Sequence, residues 1–367
     1  MTAGSPRNRL ARRLRHWLRR ARLGGRSARG ARRGPVTLVV ILDGTMSSLE
    51  PGQETNAGQI WKLLSTRAPS ASLAVYYEPG IQFTNWRQLR DVIEGRGLNR
   101  QIRRAYGWLA SRYRPGDRIF LFGYSRGAYA VRSLAGVIDR VGLLTAAAAT
   151  ERNVAQAYRH YRTISESAAA ERFRAVNCHP SVVIDMIGVF DTVKALGLRA
   201  PLVWRWTEVA HRFHDHALGR STRRGYHALA LHERREAYAP VMWRTDPNWT
   251  GLCEQRWFRG THGDVGGQLA GETRSRPLAN IPLVWMLERA EATGLRLPDG
   301  WREAFPCDPR APSIGLDRGW GWALRARMMR PVGRDPSERV DDSALAGPEP
   351  PPFADAFHPA VRRAGQT

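Results

Sequence analysis

The chain has 367 residues, 43% of them hydrophobic, enough for one large domain or two ordinary ones. No apolar run approaches the roughly 18 residues of a membrane-spanning helix, and Cys178, Cys253 and Cys307 are too few and too far apart for a disulfide framework or a metal site. The net charge of +24 invites nucleic acid as a partner, but Lys62 and Lys194 are the only lysines, and such an arginine bias follows from a GC-rich genome without selection for binding.

The charge is uneven. Met1–Gly34 holds twelve arginines and no acid, half of the net charge of +24. Leu10, Leu14, Trp17 and Leu18 fall at the spacing of one helical face. The segment reads either as a basic amphipathic helix able to lie on an anionic membrane surface or as a solvated tail. It lacks the uninterrupted apolar stretch of a secretory signal. With its cysteines unpaired, the chain reads as cytoplasmic, peripheral to a membrane where the arm docks, and export by a dedicated secretion system stays open.

From Val36 the pattern changes. Val36–Leu42, Leu73–Tyr77, Ile119–Phe122 and Ile184–Phe190 are near-continuous apolar runs of strand length. Such runs suit strands buried on both faces of a parallel sheet. Helical stretches lie between and after them, at Leu98–Tyr113, Arg126–Val141, Glu151–Ala175 and Pro277–Thr293. The alternation predicts an α/β fold with a doubly wound, mostly parallel sheet over residues 35–330. Two helical insertions are expected, at about 143–179 and 197–226, as a lid or as packing on the sheet. Residues 331–367, rich in Pro, Asp and Ala, read as an extended tail.

Gly123-Tyr124-Ser125-Arg126-Gly127 follows the strand "RIFLF" and opens a helix with small residues at Gly127, Ala128 and Ala130. A serine hydroxyl is a weak nucleophile and needs a tight turn, a neighbouring base and amide donors for the developing oxyanion. G-x-S-x-G between a strand and a helix meets the first need, because Gly123 and Gly127 remove side chains that would clash. Ser125 is the expected nucleophile; the bland reading is a helix N-cap.

A hydrolase of this kind places an acid and then a histidine after the serine. Asp191 ends the apolar run Ile184–Phe190, on the strand edge where such folds put their sites, whereas Asp185 lies at the opposite edge. His262 sits in "GTHGDVGG", a glycine-rich loop after the probable strand Gln255–Phe258. Asp191 is the expected acid and His262 the expected base. Asp264 could orient His262, replace Asp191 as the acid, or only stabilise the loop. His211, His214 and His216 offer at most two imidazoles on one helical face, so no metal is expected there, and no motif calls for a cofactor.

"VVILDGT" evokes phosphatases with an aspartate nucleophile, but Ile41 stands where that aspartate would be. A hydrolase makes better use of this loop. One oxyanion donor is the amide of the residue after the nucleophile, Arg126, and the other comes from the loop after an earlier strand, here Gly44 or Thr45. Asp43 would hold that loop or bond a substrate hydroxyl.

Seven ordered blocks carry a family resemblance: "LDGT", "TN" at Thr55-Asn56, "YYEPG", "FLFGYSRGAYAVRSLAG", "GVFDTV", "YHALALHERR" and "WFRGTHGDVGG", spanning about Val36 to Thr293. They resemble the α/β-hydrolase domain long listed as of unknown function in bacteria and fungi, to which the phospholipase effectors of type VI secretion systems belong. The resemblance implies a Ser-Asp-His hydrolase of lipid esters, with Ser125, Asp191 and His262 at the matching positions. The chain departs from the family at His232, often Asp, and at Gln268, where a third glycine is usual.

Overall fold

The computed structural model describes residues 33–66, 71–80, 96–163, 167–193, 217–316 and 326–346. The basic arm up to residue 32, the insertion over 197–216 with His211, His214 and His216, and the chain beyond 346 lie outside them.

Among the described residues seven strands form one sheet: β1 Thr37–Leu42, β2 Leu73–Glu78, β3 Arg118–Tyr124, β4 Met186–Phe190, β5 Arg224–Ala230, β6 Leu252–Phe258 and β7 Glu338–Val340. Their order is β2-β1-β3-β4-β5-β6-β7, and every pairing is parallel. Alternate residues of β1 feed two separate cores. Leu38, Val40 and Leu42 pack with α2 (Arg96–Ala110), α3 (Arg126–Arg140) and α4 (Glu151–Arg162). Val39 and Ile41 pack with α1 (Asn56–Ser65) and α7 (Arg276–Ala292). Helices therefore cover both faces, which is why the strands read as unbroken apolar runs rather than alternating ones.

From β1 the chain passes to β2 on one side and to β3 on the other. The ends of β1 and β3 thus flank a topological switch point, the place where sheets of this kind bind their ligands. Close backbone approach is enforced there. A Cβ on Gly127 would lie 2.1 Å from the carbonyl oxygen of Leu42, and one on Gly80 would lie 1.8 Å from that of Gly44.

The expected strands and helices are present, with shifted ends. The stretch Glu151–Ala175 is two helices, α4 and α5 (Ala168–Asn177), because Ser167 caps a new N-terminus by accepting from Ala170 N. Residues 224–226, expected in the second insertion, begin the central strand β5. Gly225, His227 and two alanines depress its apolar signal below that of its neighbours. Residues 331–346 are not a free tail. They supply β7 against β6, followed by the short helix α8 (Ser343–Ala346). Glu338 organises the turn before β7 by accepting from the amides of Gly333, Arg334 and Asp335 and from Trp257 Nε1. Such local carboxylate–amide bonding has no periodic signature.

Among the described residues no helix is long and apolar enough to cross a membrane.

Two glycines test the packing in opposite directions. Gly127→Ala forces a side chain onto backbone and is expected to destabilise by about 1–3 kcal/mol. Gly107→Ala, inside α2 and 3.5 Å from Val154 Cγ2, is expected to stabilise by about 0.5–1 kcal/mol. Urea denaturation of the two variants measures both.

Candidate active site

β3 runs into Tyr124 and the chain turns at Ser125, whose φ of 57° and ψ of −119° are strained for a residue with a side chain. The turn is pinned by Ser125 N donating to Phe190 O at 3.0 Å. Its tightness needs the flanking glycines: a Cβ on Gly123 would lie 2.7 Å from Ala128 Cα. The hydroxyl of Ser125 does not cap α3. Its Oγ lies 2.9 Å from His262 Nε2.

His262 opens the short helix α6 (His262–Gly266), and its Nδ1 lies 2.6 Å from Asp191 Oδ2. Asp191 follows β4 directly and is fully buried. Its Oδ1 also accepts from Ala230 N at 3.0 Å and from Arg330 Nη1 at 2.6 Å, and its Oδ2 from Arg330 Nη2 at 2.9 Å. Burial alone would push this carboxyl up. The charge of Arg330 and the bonds from His262 and Arg330 outweigh it and hold Asp191 well below the usual carboxylate range. The structure therefore brings Ser125, His262 and Asp191 into one hydrogen-bonded line. Asp185 lies at the far edge, accepting from Ile119 N.

Asp264 is engaged elsewhere. Its oxygens accept from Thr261 N and Oγ1, Ser313 Oγ and Ile314 N, so it shapes the loop that presents His262. The imidazole itself lies between two rings. Tyr238 stacks on it at 4.5 Å between centroids, and Tyr124 lies at 4.9 Å. His262 N donates to Glu233 Oε2 at 3.1 Å. Glu233 in turn forms a buried ion pair with Arg235, whose guanidinium lies 4.4 Å over the ring of Tyr238.

On the opposite side, Gly44 packs so closely that a Cβ there would lie 2.5 Å from Tyr124 Cδ1 and 3.4 Å from Ser125 Cβ. Asp43 holds this loop, accepting from Gly44 N, Thr55 Oγ1 and Tyr77 OH at 2.7–2.8 Å. Burial pushes the Asp43 carboxyl up to about 6 despite these donors. One expectation changes here: Gly44 N–H, expected as an oxyanion donor, is turned onto Asp43. Of the expected donors, Arg126 and Thr45 remain. The departure at Gln268 is tied into the same loop, with Nε2 donating to Thr45 O at 3.0 Å. The departure at His232 links β5 to β6, its Nδ1 accepting from Gly260 N at 3.0 Å.

Four neighbours of the site escape sequence reasoning: Arg330, Tyr238, Glu233 and His227. Buried His227, whose Nε2 accepts from Thr192 N, braces the turn after Asp191. The string "HERR" contains Glu233 and Arg235 and could have flagged a buried pair. Arg330 lies in a stretch with no motif. Among the described residues no group of three or more His, Cys, Asp or Glu side chains is placed to hold a metal.

The family model described as T6SS, phospholipase effector Tle1-like, catalytic domain, matches residues 36–289. The chain is similar to the uncharacterized protein YEL023C of Saccharomyces cerevisiae, 31% identical over 185 residues, covering 44% of this chain and 27% of that protein. Three solved structures are also similar. An uncharacterized protein from Pseudomonas aeruginosa shares 18% identity over 85% of this chain and 55% of its own, with a TM-score of 0.44. The Tle1 effector bound to the VgrG spike from the Type 6 secretion system shares 17% over 64% and 51%, at 0.34. The esterase Est2 of Thermogutta terrifontis shares 13% over 74% and 87%, at 0.36. The chain spans about a quarter of the yeast relative and about half of the first two structures.

The Glu233–Arg235 pair gives a direct test of what supports the loop of His262. Arg235→Met leaves a buried carboxylate without its cation and is expected to destabilise by about 3–5 kcal/mol. Glu233→Gln combined with Arg235→Met is expected to recover more than half of that loss in the same denaturation assay, since no charge is then stranded.

Proposed function

The chain belongs to the Tle1-like catalytic-domain family of type VI secretion phospholipase effectors, and from that membership we propose that it hydrolyses carboxylic esters of lipids through Ser125, His262 and Asp191. The observation that carries this reading is the unbroken line Ser125 Oγ, His262 Nε2, His262 Nδ1, Asp191 Oδ2, with separations of 2.9 and 2.6 Å. Nothing in a purely structural site requires a strained serine at the switch point of the sheet, bonded to a buried His–Asp pair.

Each residue has one task in the reaction. His262 Nε2 takes the proton of Ser125 as Oγ attacks the ester carbonyl. The oxygen of the tetrahedral intermediate is held by the backbone amides of Arg126 and Thr45. Asp191 stabilises the imidazolium and fixes its tautomer. The imidazolium then gives its proton to the departing alcohol, leaving the acyl group on Ser125. A water enters, loses its proton to His262 and releases the fatty acid by the reverse sequence. Asp43 acts only through the loop that carries Thr45, and Tyr124 and Tyr238 hold the imidazole plane between them. The basic arm suits docking on an anionic lipid surface, a role that rests on its sequence.

Arg330 is a positioning residue in this scheme. Its fork clamps both oxygens of Asp191 and offsets the burial that would otherwise protonate that carboxyl.

Ser125→Ala is expected to lower ester hydrolysis by roughly 10³-fold or more, and to abolish labelling by a fluorophosphonate, while the circular dichroism spectrum stays that of the parent. A parent protein that a fluorophosphonate does not label would overturn the serine-hydrolase reading.

Arg330→Gln removes the cation that opposes burial of Asp191. Asp191 then takes up its proton at a higher pH, so the acid limb of kcat/KM is expected to move upward, with kcat falling about tenfold or more at neutral pH. An acid limb that stays in place in a folded variant would leave Arg330 with a packing role alone.

A further inference from the structure

Five arginines are buried among the described residues: Arg126, Arg132, Arg235, Arg259 and Arg330. Four of them are bonded. Arg132 donates to the carbonyls of Val241 and Met242, and Arg235 pairs with Glu233. Arg259 donates to the carbonyls of Pro309 and Ala311, and Arg330 pairs with Asp191. Arg126 is the exception. The residue is 7% exposed and its Nη1 is buried without a hydrogen-bond partner. No carboxylate among the described residues pairs with it.

A guanidinium that is buried, charged and unbonded is an expensive object, which folds keep only where something else completes it. Burial pulls Arg126 down to about 10, so it remains a cation at neutral pH. Its place in the chain says what completes it. Arg126 is the first residue of α3, a helix of 15 residues that starts at the carboxyl end of β3, and it follows Ser125 directly. Besides burial, the group that acts on its charge is Tyr238, whose ring stacks on His262. The geometric facts are the position of Arg126 directly after Ser125, its burial and the orphaned Nη1.

Resting on the ester-hydrolase reading above, we propose that the Arg126 side chain is a subsite for an anionic phosphate group that the substrate carries close to its scissile ester. The planar fork of arginine matches two oxygens of a phosphodiester, and one guanidinium neutralises one phosphodiester charge. The N-terminus of α3, on which Arg126 sits, offers backbone donors and the positive end of the helix dipole as well. The residue thus has two separable parts. Its amide serves the oxyanion of any ester, and its side chain selects esters that bear a phosphate. A neutral glyceride of the same acyl length leaves the guanidinium stranded in the complex, and that penalty is the source of discrimination.

The test compares kcat/KM for phosphatidylcholine, phosphatidylglycerol and diacylglycerol of identical acyl chains, each diluted in uncharged detergent micelles. The parent is expected to favour both phospholipids over diacylglycerol. Arg126→Gln should reduce that preference at least tenfold for both, and Arg126→Lys should restore part of it. A preference unchanged in Arg126→Gln overturns the proposal, provided Ser125 is still labelled by a fluorophosphonate. Absence of labelling in the parent protein would instead sink the hydrolase reading on which the proposal rests. If Arg126→Gln does not fold, the parent alone decides. Glycerophosphocholine should inhibit hydrolysis of a neutral p-nitrophenyl ester competitively, and glycerol should not. Equal inhibition by the two, or none by either, removes the phosphate subsite. A preference for phosphatidylglycerol alone that the substitution leaves in place would assign the charge effect to a surface other than Arg126.

Discussion

The carboxylate of Asp191 is the point on which the site depends. It has no exposed surface, yet it remains ionised because four donor contacts from three parts of the chain converge on its two oxygens. Ala230 N comes from the end of β5, His262 Nδ1 from the loop after β6, and the Arg330 fork from the segment before β7. A buried charge of this kind is tolerated only when its hydrogen bonds are complete. The same requirement fixes where each of the three segments must lie. Arg330 falls outside the residues that the family model matches, at 36–289, so the edge of the sheet beyond that match belongs to the site and is not an appendage.

A second constraint is the absence of side chains where β1, β3 and their loops meet. Gly44, Gly80, Gly123 and Gly127 each sit where a Cβ would lie within about 3 Å of other atoms. This crowding brings the loop after β1 against the serine turn. It also over-determines the turn. Ser125 at φ 57° and Asp191 at φ 39° are unfavourable conformations for residues with side chains. They persist because packing on either side leaves no alternative.

Much of this was legible in the sequence. The apolar runs, the glycines around Ser125 and the order Ser, Asp, His point to the central strands and to the three side chains that the structure aligns. What escaped had a physical reason. β5 is diluted by Gly225, His227 and alanines, so it lacks the apolar density of a buried strand. β7 has three residues and is set by the carboxylate of Glu338 rather than by periodicity. Arg330 is a long-range partner with no spacing rule linking position 330 to position 191. Gly44 differs from its expected role for a finer reason: an amide next to Asp43 can bond that side chain, and residue identity alone does not say which way the N–H turns.

Arg330 and Arg126 show how one residue type takes opposite roles within the same site. Both are buried, and both would destabilise the fold if left alone. Arg330 is neutralised internally by Asp191, so its charge is spent on keeping that carboxylate ionised and in place. Arg126 has no counterion among the described residues, so on the proposal above its charge is kept for the substrate. The net charge of +24 is therefore a poor guide to partners by itself. Half of it is the arm, whereas one buried guanidinium directly after Ser125 is the charge that the proposed phosphate subsite uses.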